Sequence, residues 1–388
     1  MTKKKSAAKK KPSSAVIELG TDEDAPPVPL EQKYKEQMRQ IFPQKIELPI
    51  STLPEMIKDQ IDLSPDFQRR DIWNPSKQSR FIESIIMNVP IPPIFLGEDD
   101  YGKYVVLDGR QRLTAVREFL ANSYQLEGLR VWEELNDLNF HALQKKGLDK
   151  TITRRFIPAV LLLKESSPEV KYDVFDRLNT GGVTAEPMEI RNAIYRGEFN
   201  KLLHGLSAEA TFRKLWDIPL DPDEMVLNTT YSRMEDLELV LRFFALQEHE
   251  NFSGMFKDYL SRFMAKRNKE YAQDPFLKSQ DEMLFKRAIT NSWNIFGLDA
   301  FRKPVKQADK KSVKSAPLAD AIMYALSQYD TKEISDKAAQ RIRDAIKALF
   351  DKDMKFKQSI GTGTNGKGAT TYRLDTAAKV VKQALAGG

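Results

Sequence analysis

Apolar residues recur along this chain in two rhythms, and the change between them divides it. From about residue 45 to 200, short strand-like runs interleave with helical stripes. "QKIELPISTLPEMI" alternates Ile46 and Leu48 with polar residues before a short helix. "PIFLGEDDYGKYVVLD" predicts two strands about a Gly-containing turn, a hairpin. "FIPAVLLL", residues 156–163, predicts another strand. Between these, Phe81, Ile82, Ile85, Ile86 and Val89 fall on one helical face, with Ser76 as its cap and Pro90, Pro92 and Pro93 as its stop. Leu113, Val116, Phe119 and Leu120 mark the buried side of a helix beginning near Arg110. Pro168 opens a helix striped by Val170, Val174, Phe175 and Leu178 and stopped by Asn179 to Gly182. "EPMEIRNAIYRG" then predicts a further helix running to Gly197.

Beyond residue 200 the rhythm is almost wholly helical. "MEDLELVLRFFALQEH", "MFKDYLSRFMAKRNKEYA", "DEMLFKRAITNSWNIFG", "PLADAIMYALSQY" and "KAAQRIRDAIKALF" space their apolar residues by three and four. "RKPVKQADKKSVKSAP", 302–317, reads as a basic loop among them. Residues 1–40 carry little periodic apolar content and are expected to be a disordered basic tail. The expected class is therefore α+β, a small mixed α/β domain over residues 41–200 followed by an all-helical domain over 201–388.

Charge changes this picture in one place. The net charge is +6, yet Lys3, Lys4, Lys5, Lys9, Lys10 and Lys11 stand without an acid among residues 1–12. Setting these six aside leaves 55 basic and 55 acidic residues. The basic character belongs to the tail, which can bind DNA phosphates non-specifically or simply serve as a solubilising segment. The chain has no cysteine, so disulfides, thiolate metal sites and a Cys nucleophile are excluded. No apolar run approaches the about 18 residues of a membrane span, and no secretory pattern follows the first lysines. A cytoplasmic protein with no membrane partner is the expectation.

Candidate chemistry concentrates at "YVVLDGRQRLTAVREFL", residues 104–120, where a strand leads into an arginine-rich helix start. A helix N-terminus favours phosphate, Gly109 lets the backbone approach closely, and Arg110 and Arg112 offer planar donors suited to phosphate oxygens. Asp108 is suited to Mg²⁺ or to orienting a water. The competing reading is a structural turn whose Asp caps the helix. "FDRLNTGG" offers Asn179 beside two glycines, either reading a base or ribose or ending the helix. In "FQRRDIW", Gln68, Arg69 and Arg70 read as a surface cluster over a packed Trp73. "GTGTNGKGATT", 361–371, superficially resembles a Walker A loop but has Gly368 where Ser or Thr should hold the metal, and no buried strand precedes it. It is expected to be a flexible loop. His141, His204 and His249 sit in no recognised metal-ligand spacing, and no His-Asn-His nuclease motif or nucleophile elbow is present.

Three stretches in order, "FQRRDIWNPSKQSRFIESIIMNVPIPPIFL", "YVVLDGRQRLTAVREFL" and "FDRLNTGGVTAEPMEIRNAIY", resemble the signature blocks of the N-terminal domain of GmrSD-type restriction enzymes. That prokaryotic family has a ParB/sulfiredoxin-like fold and an Asp-Gly-Gln-Gln-Arg motif. Here the motif reads Asp108-Gly109-Arg110-Gln111-Arg112, with Arg in the first Gln position, and a Phe-x-x-x-Asn motif matches Phe175 and Asn179. The resemblance covers roughly residues 45–200. It implies nucleoside triphosphate binding and hydrolysis with Mg²⁺, in restriction of phage DNA. It would place Asp108 and Gln111 in catalysis, Asp108 on the metal, and Gln68, Arg69, Gly109, Arg110, Arg112, Phe175 and Asn179 around the nucleotide. Many relatives carry a His-Asn-His nuclease domain; without one, cutting would fall to the N-terminal domain or to a partner nuclease. A nucleotide-gated, non-enzymatic DNA adaptor, a ParB-like nuclease and a homo-oligomer stay open. Sulfiredoxin chemistry is excluded, since it needs cysteine.

Overall fold

The computed structural model describes residues 31, 42–63, 73–98, 102–166, 168–178, 186–304, 313–361 and 364–387. Its five strands are β1 (Pro43–Pro49), β2 (Ile61–Asp62), β3 (Ile94–Glu98), β4 (Tyr104–Asp108) and β5 (Phe156–Leu162). They form one sheet in the order β1-β5-β3-β4-β2. β3 and β4 are the expected antiparallel hairpin, while β3 runs parallel to β5 and β2 parallel to β4. β1 pairs antiparallel with β5 along its whole length, Pro43 opposite Leu162 and Pro49 opposite Phe156.

Each strand divides its residues between two faces, as the period of two requires. Ile94, Leu96, Val106, Ile157, Ala159 and Leu161 share one core with α1 (Leu53–Asp59), α2 (Pro75–Ile86) and α3 (Arg110–Leu120). Two short helices, α4 (Phe140–Lys145) and α5 (Lys150–Thr153), close that core through Leu143 and Ile152. α2 begins earlier than expected. Asn74, not Ser76, is the cap: its Oδ1 accepts from the Lys77 N–H at 2.9 Å, and Pro75 occupies the first turn. It also ends before the prolines, at Ile86, with Asn88 in the left-handed region at φ 59°.

The opposite face of the sheet carries Val105, Leu107 and Leu162, and these belong to a second core. α6 (Pro168–Leu178) and α7 (Pro187–Ile194) cover it with Tyr172, Phe175, Met188 and Ile190. That core runs on without a break through α8 (Glu198–Ser207), α9 (Ala210–Leu215), α12 (Glu235–Gln247), α13 (Phe256–Gln273) and α14 (Phe276–Phe296). It continues into α15 (Ala316–Ser327), α16 (Asp336–Lys352), α17 (Met354–Ser359) and α18 (Lys367–Ala386). Two short helices, α10 (Pro222–Leu227) and α11 (Thr229–Ser232), join α9 to α12. The molecule is thus mixed α+β with a helical C-terminal region, and one hydrophobic core crosses residue 200.

The glycine-rich 361–371 stretch departs from the loop reading. Gly366 is the N-cap of α18, so Lys367 to Thr371 are helical, and "KDMKFKQSI" before it contains α17. Among the described residues no helix is long and apolar enough to cross a membrane.

Candidate functional site

The turn at Asp108–Arg112 is built by the end of β4 and the start of α3. Gly109 joins them at φ +95°, a conformation that L side chains rarely adopt, and it is the N-cap of α3. A Cβ there would lie 2.3 Å from Ile94 Cγ2 and 2.8 Å from Ile94 Cβ, so the backbone seats directly on β3. Asp108 does not cap the helix. It reaches forward instead, and Arg112 Nη2 donates to Asp108 Oδ2 at 2.6 Å. Arg112 Nη1 donates to the carbonyls of Pro92 and Pro93, which fastens the proline-rich entry to β3.

Arg110 goes elsewhere. Successive helical residues turn by about 100°, so residues two apart project from nearly opposite sides of the helix. Burial pulls the Arg110 guanidinium below its usual value; Arg117 adds to that, and the Asp62 carboxylate opposes it. Its Nη1 is buried without a hydrogen-bond partner. Arg196, just beyond α7, pairs with the same Asp62 through Nη1, and its Nε is likewise buried and unpartnered. Two guanidinium groups thus flank one carboxylate and retain unsatisfied N–H donors. Arg196 and Asp62 escaped the sequence reading because Asp62 reaches β4 only through the short β2–β4 pairing, and Arg196, 134 residues later, joins it there.

Gln111 Oε1 accepts from the Trp73 N–H at 3.1 Å. Trp73 meets Phe81 of α2 edge-on at 5.7 Å. Gln111 therefore anchors the backbone at Trp73, just ahead of α2. Gln68, Arg69 and Arg70 lie outside the described residues, as do Asn179 and the six lysines of the tail. Phe175 is only 4% exposed and packs in the core beneath α6.

For a metal the turn offers a single carboxylate. Asp108 is 43% exposed, and its hydrogen bond to Arg112 is made through Oδ2. Among the described residues no group of three or more His, Asp or Glu side chains could hold a metal ion. One carboxylate fits Mg²⁺ arriving with a phosphate ligand, since Mg²⁺ commonly takes one or two carboxylates plus phosphates and water.

No curated protein and no solved structure matches the chain. The family model described as GmrSD restriction endonuclease, N-terminal domain, does match residues 50–196, and these run from the end of β1 to Arg196 and hold the whole Asp108–Arg112 turn.

Proposed function

We propose that residues 50–196 bind a nucleoside triphosphate at the Asp108–Arg112 turn and use it in restriction-type action on DNA. The observation that carries the reading is Arg110 Nη1, a guanidinium donor buried beside a helix N-terminus with nothing to bond. An unmet buried donor costs free energy, and a phosphate oxygen would satisfy it through a charge-assisted bond. Arg196 Nε supports the same reading from the far side of Asp62. In this account Arg110 and Arg196 hold phosphate, while Arg112 fixes Asp108 and the Pro92–Pro93 entry. Asp108 would hold Mg²⁺, which supplies charge neutralisation at the phosphates when bound. Gln68, Arg69 and Asn179 complete the site, and Lys3, Lys4, Lys5, Lys9, Lys10 and Lys11 add salt-sensitive contact with DNA phosphates.

A second reading, a nucleotide-gated DNA adaptor without hydrolysis, draws support from Gln111. Its Oε1 is engaged by Trp73, and the neighbouring position holds Arg110 where the family motif has Gln. Phosphate release from each of the four NTPs, with Mg²⁺ and with or without DNA, separates the two. Release stimulated by DNA supports hydrolysis; binding without release supports the adaptor. Neither binding nor release for any NTP ends the nucleotide reading.

A further inference from the structure

A cavity of about 710 Å³ lies between the start of α7 and the helical region, and no residue of the Asp108–Arg112 turn lines it. Arg242 of α12 lines its wall with a side chain only 6% exposed. Asp320 clamps that guanidinium from behind, accepting from Nε at 3.1 Å and from Nη2 at 2.5 Å. Phe256 lies against it at 4.5 Å. The same carboxylate also accepts from Arg373 Nη2 at 2.9 Å. Two buried guanidinium groups therefore share one carboxylate. Among the described residues, the hydrogen bonds of Arg242 run through Nε and Nη2, which leaves Nη1 for another partner.

The rest of the lining is divided. Lys314 donates to the carbonyls of Leu298 and Ala300 at 2.9 and 3.0 Å and lies 3.9 Å from Asp217, which also pairs with Arg302. Burial pushes the Lys314 amine down to about 8 even with Asp217 opposing the shift, so a further anion beside it would be favoured. Glu186, Glu235 and Glu238 also line it; Glu186 pairs with Arg233, Glu238 pairs with Arg191, and the Glu238 charge also acts on Arg242. Met188, Leu239 and Trp216 supply apolar wall, and Trp216 stacks on Phe301 at 5.4 Å. An anionic head at Arg242 and Lys314, with an apolar body against Trp216, satisfies both parts. A free inorganic ion would leave the apolar wall unused.

We propose that this cavity is a second ligand site, separate from the Asp108–Arg112 turn, that takes a small organic oxyanion, a phosphate monoester or a carboxylate. Arg242 and Lys314 bind the head group, and Met188, Leu239 and Trp216 bind its body. The buried Asp320–Arg373 pair holds Arg242 in place.

The test is calorimetric titration of the full chain with phenyl phosphate and with benzoate, alongside inorganic phosphate. It is made in an Arg110→Gln background, so that the turn near Asp108 does not contribute. Saturable binding of phenyl phosphate or benzoate, tighter than inorganic phosphate, is expected, and the tighter of the two identifies the head group. Lys314→Met should weaken it about tenfold or more through the lost charged partner. Arg242→Met should abolish it; if that variant does not fold, Lys314→Met alone decides. Absence of heat from both organic probes at millimolar concentration would overturn the proposal. So would binding that Lys314→Met leaves undiminished in a chain that melts normally.

Discussion

Arg112 Nη2 donates to Asp108 Oδ2 at 2.6 Å, closing an ion pair over the Gly109 turn that joins β4 to α3. The pair is local, four residues apart, and Asp108 is 43% exposed, so solvent screens it and its own worth is small. The larger contribution is Arg112 Nη1 on the Pro92 and Pro93 carbonyls, which lie about twenty residues upstream and set the entry to β3. A charged donor on a carbonyl is worth about 1.5–3 kcal/mol. Arg112→Ala is expected to lower stability by that order in urea unfolding. Asp108→Asn should cost clearly less. Equal losses would mean that the proline carbonyls do not matter.

Gly109 and Gly147 separate two costs of adding a side chain. Both have positive φ, +95° and +72°, but only at Gly109 would a Cβ strike another residue. Gly147→Ala should cost about 1–2 kcal/mol, the penalty of the left-handed region alone. Gly109→Ala should cost a further 1–3 kcal/mol or so, because Ile94 and β3 must give way. Equal losses in denaturant unfolding would show that the close seat on Ile94 relaxes freely.

Asp320 is the single carboxylate between Arg242 and Arg373, at 4% exposure. Its removal would leave two buried guanidinium groups facing each other. Asp320→Ala is therefore expected to destabilise by about 3–5 kcal/mol. Glu282→Ala, which breaks the exposed pair with Lys286 at 2.6 Å, should cost less than about 1 kcal/mol. Similar unfolding midpoints for the two variants would contradict the network as drawn.

Lys314 gives a pH dependence of definite sign. Its amine sits at about 8 in the fold and near its ordinary value, about 10.4, in the unfolded chain. Between those values the unfolded state holds the extra proton, so this residue's contribution to stability rises with pH. Comparing the chain with Lys314→Met, the difference in unfolding free energy should move in favour of the parent from pH 7.5 upward to about 9.5. A constant difference across that window would show that burial leaves the amine unchanged.

Much of this architecture was legible in the sequence. The alternation in Lys45–Pro49 and the apolar runs at 94–98, 104–108 and 156–162 mark four of the five strands. β2 is two residues long and leaves no periodic trace. α18 was hidden because Gly361, Gly363, Gly366 and Gly368 look like a loop, although the alanines and leucines beyond them keep a helical spacing. The continuous core was signalled by Val105, Val106 and Leu107, three buried residues in a row. Such a run means a strand covered on both faces, and the second cover comes from the helices after Pro168. The arginines divide in the same way. Two residues apart, Arg110 and Arg112 leave the first turn of α3 about 200° from each other. What no local pattern reveals is the partner of each: Pro92 and Pro93 for Arg112, Asp62 and its neighbour Arg196 for Arg110.

The central claim is that Arg110 waits for a phosphate oxygen. Titration of the full chain and of Arg110→Met with labelled ATP, GTP, CTP and UTP in Mg²⁺, with a thermal melt of each, measures this directly. At least one nucleotide should bind the parent and bind Arg110→Met about tenfold or more weakly, the equivalent of one lost charge-assisted bond. The variant should also melt no lower than the parent, since a buried donor without a hydrogen-bond partner is removed. Equal affinity in two folded proteins, or no affinity in either, would contradict the claim.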